Sequence, residues 1–481
     1  MYRKINLLLT LSFFSILSLS AQESGYLFGI GQFDTLQSEI LQQARPYIVS
    51  LPDRYEEGDK TYPVMYLLDG KGNFHHTTAS VRFLARSGRI PEMIVIGIPN
   101  TDDRTRDLTP TAESMKRQFP SSGGADNMIA FLEKELIPTI DEKYRTNDYK
   151  LLVGHSFGGL FAIHTLLKHP GLFDSYLAIS PSLWWDEQKL VLEQSDSFFA
   201  EQEELVGHLY MTMGNEGGDM LGGAWKLAAL FEEAHFSDFH WKFTLMPEET
   251  HGSVPFLSTY EGLQYIFSDW RTEEMSENVR LQGIKAMDDY EKQIDKLYGL
   301  QANWEERQLM AIGQQLIMDG ESKLALPIFK RATNLFPESP NTWFRYGEVL
   351  ANLDHEKEAI SALKQALSLQ EDNFQSIALL QRLGEDVSDL LPKVELSKKQ
   401  LESYAGEYKI EVGPTLSITT DGTTIFAEAD ILPKEELIPL GEDTFYVISR
   451  DSRISFTMED GKAIEVLVST PDGSFGGKRK P

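Results

Sequence analysis

Short apolar runs that alternate with amphipathic helical segments constrain the fold of this chain most strongly. The runs YPVMYLLDG (62–70) and MIVIGIPN (93–100) are continuously apolar, and each ends in turn residues. Strands of a parallel sheet have this composition because helices cover both of their faces. The segment 125–144, in contrast, has a helical period. Strands that alternate with helices predict a doubly wound α/β sheet over residues 26 to about 272.

The remaining strands of this region are predicted from the same kind of pattern. A helix is expected at 159–170, where Pro170 stops it. Ligands bind at the carboxyl ends of the strands in such a sheet, so the candidate site residues are sought there. The other predicted strands are RPYIVSLP (45–52), YKLLVGHS (149–156), SYLAISPS (175–182), HLYMTMGNE (208–216) and HWKFTLMPEETHG (240–252).

The first 21 residues have the pattern of an export signal. Arg3 and Lys4 precede an apolar run (7–19), and small residues stand at its end and just beyond it, at Ser18, Ser20 and Ala21. This order predicts a cleaved signal peptide over 1–21, with an N-terminal anchor helix as the alternative. No second apolar segment is long enough to span a membrane, so a periplasmic or secreted protein is expected.

The composition excludes several classes of function. The formal net charge is −28, which disfavours binding to nucleic acid and weakly disfavours a polyanionic ferric siderophore. The chain contains no cysteine, which excludes disulfides, thiolate metal sites and a cysteine nucleophile. At 41%, the hydrophobic fraction is large enough for packed cores.

An internal repeat with a period of 34 residues follows a charged helical connector (273–300). The pattern predicts tetratricopeptide-like helix pairs within 301–392, and 374–383 is expected to be a capping helix. Two copies are too few to be stable alone, so they are expected to pack against a neighbouring domain. They could also provide a binding surface for a protein partner. The matched positions are Gly313, Ala325, Phe329 and Ala332, followed by Gly347, Ala359, Leu363 and Ala366.

Residues 393–481 alternate with a period of two. Asp-Gly pairs at 421–422, 460–461 and 472–473 predict hairpins, and therefore a small antiparallel barrel or sandwich. The opening LSKKQLESYAGEYKI (396–410) and these hairpins resemble the lipocalin-like β-domain that follows the catalytic domain in some serine β-lactamase-like and esterase proteins.

The motif GHSFG (154–158) places Ser156 between a predicted strand and a predicted helix. Flanking glycines permit the tight turn that exposes a nucleophilic serine in α/β-hydrolases. The alternative is an ordinary loop serine near a helix start. If Ser156 is the nucleophile, Phe157 supplies one backbone N–H to the oxyanion. The second comes from Gly70 or Lys71, in the turn after the YLLDG strand.

A serine nucleophile needs a base and a carboxylate, and in this fold they follow it in the order acid, then histidine. His251 lies in the segment PEETHGSV, after the last strand, where this order places the base. The acid should follow the preceding strand, where Glu216 and Asp219 are both available. Glu216 is favoured because it comes directly after the strand end. His75 and His76 could line the pocket, but they precede the serine.

Four further side chains are expected on the same rim of the sheet. Trp184 and Trp185 follow the strand 175–182 and either stack on a sugar or aromatic group or pack under the loop. Arg104 and Arg106 either neutralise an anionic substrate or pair with the aspartates at 102, 103 and 107.

Several long phrases together resemble the esterase D / enterochelin-esterase-like family of α/β-hydrolases. They are YPVMYLLDGKGNF, VIGIPNTDDRTRDLTP, VGHSFGGLFAIHTLLKHPGLFDSYLAISPSLWWD and HGSVP, and the resemblance covers about 26–272. It implies ester hydrolysis with Ser156 as nucleophile and His251 as base, without metal or cofactor. The substrate is left open among small-molecule and glycan esters: ferric siderophores, or acetylated or feruloylated carbohydrates. The rival hypothesis is a non-catalytic binding protein that recruits partners through the repeats.

Overall fold

The computed structural model describes residues 29–202, 204–301, 304–411, 413–429, 432–441, 443–470 and 473–481. The predicted signal peptide (1–21) lies outside these ranges. The chain divides into two compact units, one ending at Ser268 and the other beginning at Asp269. None of the helices within the described ranges is long and apolar enough to cross a membrane.

The first unit is built on an eight-stranded sheet in the order β1-β2-β4-β3-β5-β6-β7-β8. β1 and β2 are antiparallel to their neighbours, and the strands from β4 through β8 pair in parallel. The strands are β1 (Gln32–Ser38), β2 (Gln43–Ser50), β3 (Tyr62–Leu68), β4 (Ile94–Ile98), β5 (Thr146–His155), β6 (Ser175–Ile179), β7 (Val206–Met213) and β8 (Asp238–Leu245).

Helices cover both faces of this sheet. Tyr176 and Ala178 of β6 belong to the core that also contains the helical residues Leu160 and Phe161. Leu177 points the other way, where a Cβ added to Gly262 would lie 2.6 Å from its side chain. The predicted doubly wound α/β sheet is therefore confirmed. Its helices are α1 (Gly70–Arg86), α2 (Arg104–Leu108), α3 (Ala125–Phe131), α4 (Ile137–Lys143), α5 (Phe157–Lys168), α6 (Ser195–Glu201), α7 (Gly218–Ala234) and α8 (Val254–Ile266).

The two largest differences from the sequence-based prediction concern a helix and a strand, and a third element, α1, was not predicted. The helix expected over 125–144 is divided by a π turn (Leu132–Leu136), because Pro138 has no N–H to continue the regular ladder. The strand expected over 240–252 ends at Leu245, so His251 lies in a turn. α1 starts directly after β3, which places His75 and His76 on a helix.

The second unit begins with helices whose positions follow the 34-residue period. α11 begins at Glu306 and α13 at Pro340, and each packs against the helix that follows it in the chain. A Cβ on Gly313 would lie 2.5 Å from Phe329, so glycine allows this pair to approach closely. The tetratricopeptide assignment stays a prediction. The helices are α9 (Met275–Gln282), α10 (Lys285–Tyr298), α11 (Glu306–Met318), α12 (Ser322–Leu335), α13 (Pro340–Asn352), α14 (Glu356–Leu369), α15 (Phe374–Arg382) and α16 (Lys398–Tyr404).

A nine-stranded antiparallel sheet completes the second unit. Its order, β12-β11-β10-β9-β17-β16-β15-β14-β13, places two consecutive strands at opposite edges, so the sheet is nearly closed. Leu401 and Tyr404 of α16 join its core, and the Phe374 ring of α15 lies 4.5 Å from that of Tyr446. The strands are β9 (Gly406–Ile410), β10 (Thr415–Thr420), β11 (Ile425–Ala429), β12 (Leu432–Glu436), β13 (Ile438–Gly441), β14 (Thr444–Val447), β15 (Ser452–Glu459), β16 (Lys462–Thr470) and β17 (Gly473–Arg479).

Candidate active site

The segment 154–158, here called the serine turn, joins β5 to α5. Ser156 has φ 60° and ψ −117°, a conformation that costs energy for any residue with a side chain. A Cβ on Gly154 would lie 2.1 Å from the carbonyl oxygen of Gly158, so the strand end and the helix start are in direct contact. The Ser156 N–H donates to the carbonyl of Ile179 at 2.9 Å. This is the geometry of a half-buried serine on a strained strand-to-helix turn.

Glu216 and His251 meet beside this edge of the sheet. Glu216 follows β7, His251 lies in the turn between β8 and α8, and Nδ1 of the histidine is hydrogen-bonded to Oε1 of the carboxylate. The Glu216 side chain is 11% exposed and that of His251 is 42% exposed. A carboxylate on Nδ1 fixes the orientation of the ring and leaves Nε2 free to act as a base.

The Ser180 hydroxyl holds the Glu216 carboxylate in place. Its hydroxyl donates to Oε2 of Glu216 at 2.9 Å and accepts from the N–H of Gly214 at 3.2 Å. Asp219, the other carboxylate that the sequence left open, instead accepts from the side-chain amide of Gln188 at 3.0 Å. The structure therefore brings Glu216, and not Asp219, to the histidine.

The Ser156 hydroxyl lies 3.3 Å from the hydroxyl of Ser182, and the two are hydrogen-bonded. Ser182 also donates its N–H to the Ser156 carbonyl at 3.1 Å. Within the ranges that the structure describes, Ser156 and His251 are not hydrogen-bonded to each other. Catalytic hydrogen bonds often tighten only when substrate is bound. A proton transfer between Ser156 and His251 would therefore require the serine hydroxyl to leave Ser182 and bond to the histidine instead.

His155 lies directly against the His251 ring. The ring centroids of His155 and His251 are 4.5 Å apart, with the planes tilted by 42°. Burial, reinforced by the neighbouring His251, lowers the pKa of His155 to about 4. In the described part of the chain its buried Nε2 has no hydrogen-bond partner. His155 is consequently a neutral ring at pH 7.

A second turn, here called the aspartate turn (68–72), joins β3 to α1. Asp69 has φ 53°, and a Cβ on Gly70 would lie 2.4 Å from the backbone nitrogen of Ile98. A Cβ on Gly158 would lie only 3.2 Å from Oδ2 of Asp69, so the two turns are adjacent. The first N–H groups of a helix have no intrahelical partner. Phe157 is the first residue of α5, and Gly70 and Lys71 are the first two residues of α1. The backbone N–H groups that are candidate oxyanion donors therefore lie at two neighbouring helix starts.

Both arginines of α2 are paired with aspartates. Nε and Nη2 of Arg104 donate to Oδ1 and Oδ2 of Asp69 at 2.5 and 2.8 Å. Nε of Arg106 donates to Oδ1 of Asp107 at 2.7 Å. Arg106 therefore has one of the partners that its neighbours in the sequence suggested, whereas the partner of Arg104 comes from the aspartate turn.

The two tryptophans occupy different environments. Trp185 is 2% exposed, and its indole N–H donates to the carbonyl of Pro110 at 3.2 Å, so it packs under the loop. Trp184 is half-buried, with its ring 6.1 Å from that of Phe157 and 6.3 Å from that of Phe119. Phe119, Phe157 and Trp184 form an aromatic wall beside the serine turn, and an apolar or aromatic group of a substrate could lie against it.

The residues of this site that were not proposed from the sequence include Asp69, His155, Ser180 and Ser182. Asp69 and Ser180 each follow a buried strand directly, and that position is the signal that could have found them. His155 and Ser182 have no such signal, because each acquires its role by contact with a residue distant in the chain.

The chain is similar in sequence to known esterases. Residues 38–275 match the model of a family described as "Putative esterase". The chain is 38% identical over 154 residues to the ferri-bacillibactin esterase BesA of Bacillus subtilis, covering 28% of this chain and 53% of that protein. It is 28% identical over 282 residues to the siderophore triacetylfusarinine C esterase of Aspergillus fumigatus, covering 47% of this chain and 91% of that one.

A solved structure extends the likeness to the fold. An IroE-like serine hydrolase from Shewanella oneidensis is 27% identical to the chain, with a TM-score of 0.55. The alignment covers 63% of this chain and 99% of that one. By contrast, the chain spans only about half the length of the Bacillus relative.

Proposed function

Because residues 38–275 belong to this esterase family, we propose that the protein is a serine hydrolase that cleaves carboxylic esters through an acyl-enzyme on Ser156. The observation that carries the proposal is the hydrogen-bonded pair of His251 and Glu216, next to a serine on a strained turn. A nucleophile, a base and an orienting carboxylate are the three groups that acyl transfer requires.

The reaction proceeds in two halves. Oγ of Ser156 attacks the ester carbonyl carbon while Nε2 of His251 takes its proton, and Glu216 stabilises the resulting imidazolium. The carbonyl oxygen becomes an oxyanion between the N–H of Phe157 and an N–H of Gly70 or Lys71. Collapse expels the alcohol, which receives the proton from His251. Water activated by the same histidine then releases the acid.

A siderophore ester is the proposed substrate class. Two relatives of the chain are named siderophore esterases. The aromatic wall beside the serine turn favours substrates with aromatic groups, which siderophore esters and feruloylated carbohydrates both offer. We further propose that the protein acts outside the cytoplasm, on the basis of the signal pattern in residues 1–21. A protein partner for the helical repeats stays a prediction.

The nucleophile is tested by labelling and turnover. Wild-type protein should react with a fluorophosphonate probe and hydrolyse p-nitrophenyl acetate, and Ser156→Ala should lose both activities. Ser182→Ala is the matched control, because its hydroxyl lies 3.3 Å from that of Ser156 yet is not the nucleophile. It should still be labelled. Normal turnover by Ser156→Ala would overturn the assignment.

The substrate class is tested by comparing kcat/KM for siderophore, feruloyl, butyryl and acetyl esters on the purified chain. The proposal expects the highest value for a siderophore ester. A higher value for acetylated or feruloylated carbohydrates would move the protein to that class while leaving the serine mechanism in place.

A further inference from the structure

Arg104 contacts the serine turn and the aspartate turn at the same time. Besides its two bonds to Asp69, Nη2 donates to the carbonyl oxygen of His155 at 3.1 Å. The guanidinium carbon also lies 5.4 Å from the centre of the Phe157 ring. One side chain thus bridges the residue just before Gly70 and the two residues that flank Ser156.

We propose that Arg104 is a positioning residue: its guanidinium fixes the two turns that supply the oxyanion N–H donors, and it does not bind an anionic substrate. This inference rests on the proposed function, because it assigns the donors of that reaction. Of the two roles that the sequence left open for Arg104, it rejects substrate binding and keeps pairing with an aspartate, which is Asp69.

The strand order explains why one arginine can reach both turns. β3 lies between β4 and β5 in the sheet. The aspartate turn after β3 is therefore flanked by α2, which follows β4, and by the serine turn, which follows β5. Arg104 extends from α2 across Asp69 to His155.

The chemistry of the contact favours positioning over substrate binding. A guanidinium and a carboxylate that form two parallel hydrogen bonds define both distance and orientation, which lysine cannot reproduce. Asn100 also donates to Oδ1 of Asp69 at 2.6 Å, so the carboxylate is held from two sides. A substrate anion would have to displace Asp69, whose side chain is only 13% exposed, from this face of the guanidinium.

The expected kinetic effect follows from the preorganisation of the oxyanion donors. Displacing a reacting group by about 1 Å can cost on the order of 10²-fold in rate. Arg104→Lys and Arg104→Gln should therefore lower kcat by about 10- to 100-fold and leave KM within about twofold. Arg106→Lys is the matched control on the same helix, since Arg106 pairs with Asp107 instead, and it should keep the wild-type kcat.

A pair of substrates separates positioning from anion binding. Phenyl acetate is neutral, and 4-acetoxybenzoate carries a carboxylate. Positioning predicts the same loss of kcat for both esters. A rise in KM confined to 4-acetoxybenzoate, with kcat retained, would overturn the inference and make Arg104 a substrate-binding residue.

Hydrogen–deuterium exchange tests the bridge without relying on turnover. In Arg104→Lys, the backbone amides of both 69–73 and 155–158 should exchange faster than in wild type, and Arg106→Lys should leave both segments unchanged. Unaltered exchange in Arg104→Lys would overturn the inference. Absence of ester turnover by the wild type would overturn the proposed function instead, so the two failures can be told apart.

Discussion

The serine turn and the aspartate turn share one backbone design and differ in what their side chains meet. Each places a non-glycine residue with positive φ between a buried strand and a helix, 60° at Ser156 and 53° at Asp69. Each also needs a glycine that touches backbone, since a Cβ on Gly154 or Gly70 would lie 2.1 or 2.4 Å from a main-chain atom.

The two turns differ in the side chains that lie near their central residues. Asp69 is neutralised by Arg104, whereas Ser156 lies at the edge of the sheet where Glu216 holds His251. The comparison shows that the strained turn only positions a side chain. The neighbouring side chains determine the chemistry of that side chain. In one turn the presented side chain is the proposed nucleophile, and in the other it is a carboxylate paired with an arginine.

The largest expected effect concerns the carboxylate that distinguishes the serine turn. Glu216→Gln should lower kcat on the order of 10³- to 10⁴-fold, because the amide no longer stabilises the imidazolium or its correct tautomer. Asp219→Asn alters a carboxylate that is hydrogen-bonded to Gln188. Its kcat should stay within about twofold of the wild-type value. Steady-state kinetics on one ester measures both variants. A collapse confined to Asp219→Asn would reverse the assignment.

An intermediate effect tests the shared backbone design. Gly70→Ala should lower the free energy of unfolding by about 1–3 kcal/mol, because the new methyl group meets the Ile98 nitrogen. Gly154→Ala should act in the same direction, against the Gly158 carbonyl. Gly72 also lies in α1 but has open space around its Cα. Gly72→Ala should therefore raise the free energy of unfolding by about 0.5–1 kcal/mol.

Urea unfolding followed by circular dichroism measures these three glycine variants. If Gly70→Ala and Gly72→Ala had equal stabilities, the close backbone contact of the aspartate turn would be irrelevant, and the likeness of the two turns would be superficial.

The smallest effect is the pH dependence of unfolding that the serine turn contributes through His155. The pKa of His155 is lowered by burial to about 4, below the ordinary value of 6.5, so unfolding takes up a proton between these values. Its stabilising contribution is complete above pH 6.5 and is lost as the pH falls towards 4. Between pH 6.5 and 5.5 the loss is about 1 kcal/mol.

His155→Gln should remove this part of the pH dependence of unfolding, whereas His355→Gln, at an exposed position, should leave it intact. His208, another buried histidine whose pKa is lowered to about 4, supplies a parallel slope that remains in both variants. An unchanged slope in His155→Gln would show that the ring does not titrate with unfolding.

Much of the secondary structure of the first unit could be predicted because it depends on short sequence patterns. The continuous apolar runs at 62–70 and 93–100 contain β3 and β4, and the glycine motif identified the turn at Ser156. The bounds of the helix at 125–144 could not be predicted fully, since the effect of Pro138 on the hydrogen-bond ladder depends on whether the helix continues past it. For the second unit, the 34-residue period located the helix starts.

The sequence by itself determined the α/β alternation, the glycine-flanked serine, and the chain order of Ser156, Glu216 and His251. Only the tertiary structure decided between Glu216 and Asp219, paired Arg104 with Asp69, and placed Ser182 beside the serine. The physical reason is the strand order. Composition shows which segments are buried, but which strands become neighbours depends on packing across the whole sheet, and that choice brought the turns after β3, β4 and β5 together.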